Sequence, residues 1–85
     1  MIAYEIYVRR EVQLALNALP DHLGYRFDDF IDALSENPFR SGDDTATLKS
    51  GRKCHIRLIA DQALYYWVDH AEKEIRIVDL ISAPS

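Results

Sequence analysis

The chain has 85 residues, 48% of them hydrophobic, with a formal net charge of −4 and one cysteine, Cys54. That length predicts a single domain, residues 1–85, burying about 60–65% of its unfolded surface; the acidic balance argues against a general nucleic-acid binder, which gains affinity by neutralising phosphates. A lone cysteine excludes a disulfide framework, no apolar run approaches the roughly 18 residues of a membrane span, and the first residues lack the basic start and apolar run of a signal peptide, so a cytoplasmic location with no membrane contact is expected.

Residues 3–8 alternate, with Tyr4, Ile6 and Val8 on one face, which predicts a strand. From Arg10 the period changes. Val12, Ala15, Leu16 and Leu19 follow the spacing of one helix face. Pro20 stops this helix, and Asp21-His22-Leu23-Gly24 reads as a short turn. Leu23, Phe27, Phe30, Ile31 and Leu34 trace the stripe of a second helix that closes at Asn37-Pro38. Asp28, Asp29, Asp32 and Glu36 lie off that stripe and make an acidic outer face. Helices joined so closely are expected as an antiparallel hairpin.

Residues 38–47 read as a polar loop anchored by Phe39, with a short strand near 46–49 leading through Ser50-Gly51 into a strand over 53–59. In that strand Ile56 and Leu58 point one way, His55 and Arg57 the other. Ala60-Asp61-Gln62 turns the chain into a strand over 63–69, where Leu64, Tyr66 and Val68 oppose Tyr65 and Trp67. Residues 70–73 turn again, and the strand over 74–81 carries apolar residues on both faces, the mark of a central or covered strand. The fold class is α+β, ordered β-α-α-β-β-β, with a helical hairpin on one face of an antiparallel sheet. Tyr7, Tyr65, Trp67 and Ile59 are then expected on the open face, as an aromatic surface with a basic rim suited to protein contact or self-association.

The order of these features resembles the RelE/ParE superfamily of bacterial type II toxin–antitoxin toxins. Tyr4-Glu5-Ile6 opens the first strand. Leu16, Leu19 and Pro20 are similar to the family's leucine–proline helix end, and Leu34-Ser35-Glu36-Asn37-Pro38 is similar to its asparagine–proline ending. His55-Ile56-Arg57-Leu58 resembles its arginine-bearing strand, and Tyr66-Trp67-Val68-Asp69 with Lys73-Glu74-Ile75-Arg76-Ile77 its penultimate hairpin. The resemblance implies a growth inhibitor that cleaves mRNA at the ribosome or acts on a gyrase-like target, held by a cognate antitoxin. The chain also departs from the family. Ala63 stands where an arginine commonly precedes the aromatic residues, and Leu80 to Ser85 lack the further basic residue and tyrosine of ribonuclease members.

RNA cleavage needs a base for the ribose 2′-hydroxyl, cations for the transition state and an acid for the leaving oxygen. Lys49, Arg52, Lys53 and Arg57 fall in a stretch, residues 49–57, that holds no Asp or Glu. Arg57 is the best cation, because its planar fork suits phosphate. His55 shares its strand face and is the candidate acid or base. Lys49, Arg52, Lys53 and Tyr65 are candidate RNA-binding residues, the tyrosine by stacking on a base. The simpler alternative pairs Arg57 with an acidic side chain of the sheet or of the second helix and leaves His55 an ordinary strand residue. Adjacent Cys54 and His55 point to opposite faces, so neither a metal nor any other cofactor is expected, and Cys54 reads as a buried structural residue.

Two functions follow. One is a type II toxin, an mRNA interferase with reduced or lost catalytic residues. The alternative is a non-enzymatic protein-interaction module on the same scaffold, motivated by Ala63 and the acidic charge.

Overall fold

A computed structural model of the chain describes residues 3–39 and 44–82. The element order is β1 (Glu5–Val8), α1 (Arg10–Asn17), α2 (Asp21–Glu36), β2 (Asp44–Thr47), β3 (Lys53–Ile59), β4 (Gln62–Asp69) and β5 (Glu74–Ser82). The strands form one sheet in the order β1-β5-β4-β3-β2.

The meander from β2 to β5 is antiparallel throughout, as short turns require. The first strand breaks that rule. β1 lies parallel to β5, with Glu5 opposite Glu74 and Val8 opposite Ile77. The sheet is therefore mixed. A parallel neighbour needs a long crossover, and the two helices lie in the chain between β1 and the meander.

Several local expectations shift. Residues 21–24 are the first turn of α2, not a separate turn: the Pro20 carbonyl accepts hydrogen bonds from the amides of Leu23 and Gly24 at 2.9 and 3.0 Å. Pro20 itself stays extended, so α1 ends at Asn17 and, after Ala18, Leu19 and Pro20, α2 starts at Asp21. β2 begins at Asp44 rather than Ala46, because Leu48 to Gly51 are used by the turn, closed by Gly51 N–H donating to the Leu48 carbonyl at 2.9 Å. Gly51 takes φ +87° there, a left-handed backbone that glycine adopts without steric cost. Of the expected loop over 38–47, Arg40 to Asp43 lie outside the described residues, as do Met1, Ile2 and Ala83 to Ser85. Phe39 remains as its anchor. Its ring stacks on His70, 4.6 Å between centroids and 10° from coplanar.

Both helices cover the same sheet face. Val12 and Leu16 of α1 and Phe27, Phe30, Ile31 and Leu34 of α2 pack with Ile59, Leu64, Tyr66, Ile75 and Ile77 into one core. The acidic positions of α2 (Asp28, Asp29, Asp32 and Glu36) are all exposed. The C-terminal end of α2 is tied to the first strand: Ser35 Oγ donates to the Tyr4 carbonyl at 2.6 Å, and the Tyr4 amide donates to the Ser35 carbonyl at 3.1 Å.

A bulge explains why β5 is apolar on both faces. Tyr65 pairs with Asp79 but Tyr66 pairs with Ile77, so Val78 is the extra residue. The shift lets Ile75, Ile77 and then Leu80 all join the helix-covered side. Ile59 belongs to that side too. It was expected on the open face, yet it is 3% exposed, since it continues the alternation of His55 and Arg57 beneath α2.

Candidate functional site

The candidate site forms where β3 runs under α2. Alternation along β3 sends His55 and Arg57 to the helix side and Cys54, Ile56 and Leu58 to the other. Two buried aromatic rings hold the pair. Tyr66, directly opposite His55 in the β3–β4 register, stacks on the imidazole at 5.4 Å and 28°. Tyr66 also meets Phe30 of α2 edge-on at 5.5 Å. The Arg57 guanidinium carbon lies 5.1 Å from the Phe30 centroid, within cation–π range. His55, Tyr66, Phe30 and Arg57 thus form a continuous chain of planar groups, and both rings in its middle are at most 5% exposed. The two candidate catalytic residues are half-buried and fixed by the core itself.

Beside them opens a cleft of about 360 Å³ lined by Arg26, Asp29, Phe30, Ala33, Arg57 and Ile59. Arg26 does not figure in the sequence reading, and Asp29 figures there only as part of the acidic outer face of the helix. Their signal was present: 26, 29 and 33 have helical spacing and border the apolar stripe of Phe27 and Phe30.

The other expected contact residues do not gather here. Lys53 shares the face of His55 and Arg57 by alternation and is exposed at the start of β3, opposite Thr47. Lys49 is exposed in the turn before it. Arg52 and Tyr65 are on the opposite face of the sheet. The Arg52 guanidinium lies 3.8 Å from the Trp67 ring centroid, and Tyr65 pairs with Ile56. Ala63 pairs with Leu58 and Ile81 on that same face, while its neighbour Leu64 stands opposite Arg57. Position 63 is therefore turned away from the cleft.

The open face carries a ladder of alternating rings and cations. Arg76 sits 4.9 Å from the Tyr7 ring and 5.9 Å from Trp67, and Arg52 covers Trp67 from the other end. Arg76 also donates to Glu74 at 2.8 Å, and the Tyr7 hydroxyl donates to Glu5 at 2.6 Å. That hydrogen bond and the Glu5 charge raise the Tyr7 phenol above its ordinary range.

Cys54 is buried on this face, and desolvation pushes its thiol up against a smaller opposing pull from hydrogen bonding to the Ala46 backbone. The folded chain therefore holds the thiol proton to higher pH than the unfolded chain does. Stability is full below the unfolded thiol pKa of about 8.5 and is lost as pH climbs toward the folded value. The thermal midpoint is expected to fall above that pH, less steeply in Cys54→Ala. Iodoacetamide should label native protein far more slowly than urea-unfolded protein; equal rates would contradict this burial. Among the described residues, no three His, Cys, Asp or Glu side chains cluster as metal ligands, and no helix is long and apolar enough to cross a membrane.

No family model matches the sequence, and no curated protein matches it. Solved structures do match the fold. A chain of the archaeal RelE–RelB complex from Pyrococcus horikoshii OT3 superposes with a TM-score of 0.78 at 23% identity, covering 95% of this chain and 96% of that one. A chain of the toxin–antitoxin complex RelBE2 from Mycobacterium tuberculosis gives 0.73 at 17% identity, covering 95% and 99%. Two helices on one face of a five-stranded mixed sheet, matched over nearly the full length of both chains, give this protein the same RelE-like fold as those two chains.

Proposed function

We propose that the chain is the toxin component of a type II toxin–antitoxin pair and that a cognate antitoxin holds it in check. The observation that carries this reading is the end-to-end fold likeness to chains of two toxin–antitoxin complexes. The growth-inhibiting surface is the cleft between α2 and β3, where Arg57 and His55 share a strand face and are set by Phe30 and Tyr66. The chemistry best suited to that pair is attack on an RNA phosphodiester at the ribosome, with Arg57 stabilising charge and His55 moving the proton. The set is smaller than in the ribonucleases it resembles, since Ala63 brings no arginine and Arg52 is engaged with Trp67 on the far face.

Induced expression of the chain alone is expected to arrest growth, and co-expression of the adjacent reading frame to restore it through a stable complex. Harmless overexpression would remove the toxin reading. A second reading, a non-enzymatic interaction module, is favoured by one observation: the expected cations are divided between two faces of the sheet. It predicts a complex or homodimer by light scattering and no RNA cleavage in a ribosome-containing extract.

A further inference from the structure

An exposed aromatic ring and an apolar groove lie together on the outside of the helix layer. Tyr25 of α2 is 67% exposed. Beside it α1 and α2 leave a groove of about 180 Å³, where the buried Leu16 and half-buried Leu19 lie with Gly24, Tyr25 and the exposed Asp21 and Asp28. A Cβ built on Gly24 meets nothing within 4 Å, so the helix leaves the groove open at that residue. Tyr25 follows Asp21 by four residues and precedes Asp28 and Asp29 by three and four, spacings that share one helix face. The ring therefore stands in the middle of a carboxylate stripe.

Charge decides what fits there. The 16 residues of α2 hold five acids, Asp21, Asp28, Asp29, Asp32 and Glu36, against one base, Arg26, which with neutral His22 leaves −4. The full chain has 14 acidic and 10 basic residues and the same net charge of −4, so the rest of the sequence holds nine of each sign and is neutral. All five carboxylates are exposed, and among the described residues none of them forms an ion pair. Nor do they converge on one point: among the described residues no three such side chains could share a metal ion. Spread over a helix rise of about 22 Å, they suit an extended partner. Apolar surface bordered by carboxylates is the environment of a lysine or arginine, whose stem is buried while its cation stays at the polar edge. A tyrosine face adds cation–π attraction for the same head group. Nucleic acid and anionic lipid meet the stripe with like charge, as does the α2 of a second copy.

We infer that the groove between α1 and α2 docks a basic, extended segment of another protein. One long cationic side chain lies over Leu16 and Leu19 against Tyr25, and its neighbours pair with carboxylates further along α2. Asp29 belongs both to the stripe and to the lining of the α2–β3 cleft, so a segment running along the helix reaches the cleft's edge. The inference rests on the toxin reading only for the partner's identity, which that reading makes the antitoxin; the chemistry of the segment comes from α2, and its test does not use growth.

The probe is hexa-arginine, about 20 Å long when extended, titrated at low salt into the ¹⁵N-labelled full chain and followed by amide shifts. The shifts are expected to centre on α1 and α2. Tyr25→Ala, which leaves every charge in place, should weaken binding about tenfold. Gly24→Leu fills the groove without altering charge and should weaken it as much. Its thermal midpoint should not fall, because leucine is the better helix former. Asp28→Asn should cost about threefold, whereas Glu72→Gln, the same charge change in the β4–β5 turn, should cost nothing measurable. The amide spectrum reports directly that each variant is folded. Absent binding overturns the inference. So does binding that Tyr25→Ala and Gly24→Leu leave intact, or a loss with Glu72→Gln equal to that with Asp28→Asn, since the attraction would then be diffuse charge. Tyr25-dependent binding of hexa-adenylate, or a Tyr25-dependent dimer in light scattering, would give the groove to RNA or to a second copy and overturn it as well. Growth arrest without hexa-arginine binding sinks this inference and spares the toxin reading. Binding of the expected pattern without growth arrest does the reverse.

Discussion

Tyr66→Ala is expected to cost about 3–5 kcal/mol of unfolding free energy, the range for emptying a buried aromatic position. Tyr66 is 0% exposed and is among the largest fully buried side chains. Its ring touches both layers, Phe30 on the helix side and His55 on the neighbouring strand. A domain of this size has only about 4–13 kcal/mol in total, at roughly 0.05–0.15 kcal/mol per residue. The variant should thus lose from about a quarter to all of its stability, and urea denaturation in the cold should show a midpoint well below the wild-type value. Tyr66→Phe retains the ring and should keep most of the stability. A Tyr66→Ala midpoint within about 1 kcal/mol of wild type would mean that the core does not run through this ring. The cost also bears on the candidate site, because the same truncation removes the surface on which His55 lies.

Arg57→Gln isolates the charge from the packing. Glutamine retains a polar side chain over Phe30 but has no cation to offer a phosphate. If Arg57 stabilises the transition state of RNA cleavage, its loss should lower the rate about 100- to 1,000-fold, the scale for removing one preorganised donor. Growth arrest should then disappear at inducer levels where wild type stops division, while a cooperative thermal transition shows that the variant is still folded. Arg57→Lys should recover part of the effect, since a point charge replaces a fork. Arrest as strong with Arg57→Gln as with wild type would leave the interaction-module reading in possession of the field.

Much of this architecture can be read from the residues. The i, i+3, i+4 stripes of both helices end up buried, and the strand over 53–59 has the bounds that its alternation implies. Alternation reports which residues share a face but not which strands become neighbours. The parallel seating of β1 beside β5 is decided by the crossover through the helices, and no local pattern encodes it. The same limit accounts for Ile59. Its partners on β3 were assigned to two sides, but which side α2 would cover is a tertiary choice. The candidate site was half legible. His55 and Arg57 share a face because their spacing is two. Tyr65 goes to the open face by the alternation of its strand, whereas Arg52 could not be separated from the pair until the turn geometry laid it over Trp67. Arg26 is not singled out, and Asp29 reads only as part of an acidic exterior, because a helix face dominated by carboxylates reads as solvated.

The seating of β1 also orders events during vectorial synthesis. Glu5 to Val8 obtain their ladder partners only from Glu74 to Ile77, almost the full span of the chain away. Until the ribosome has made that distant segment, the apolar side chains of Tyr4, Ile6 and Val8 have no strand to lie beside. A nascent chain cannot close its sheet until nearly all of it has been translated, and contacts this remote in sequence form slowly. In that interval a protease or a chaperone competes with completion of the fold.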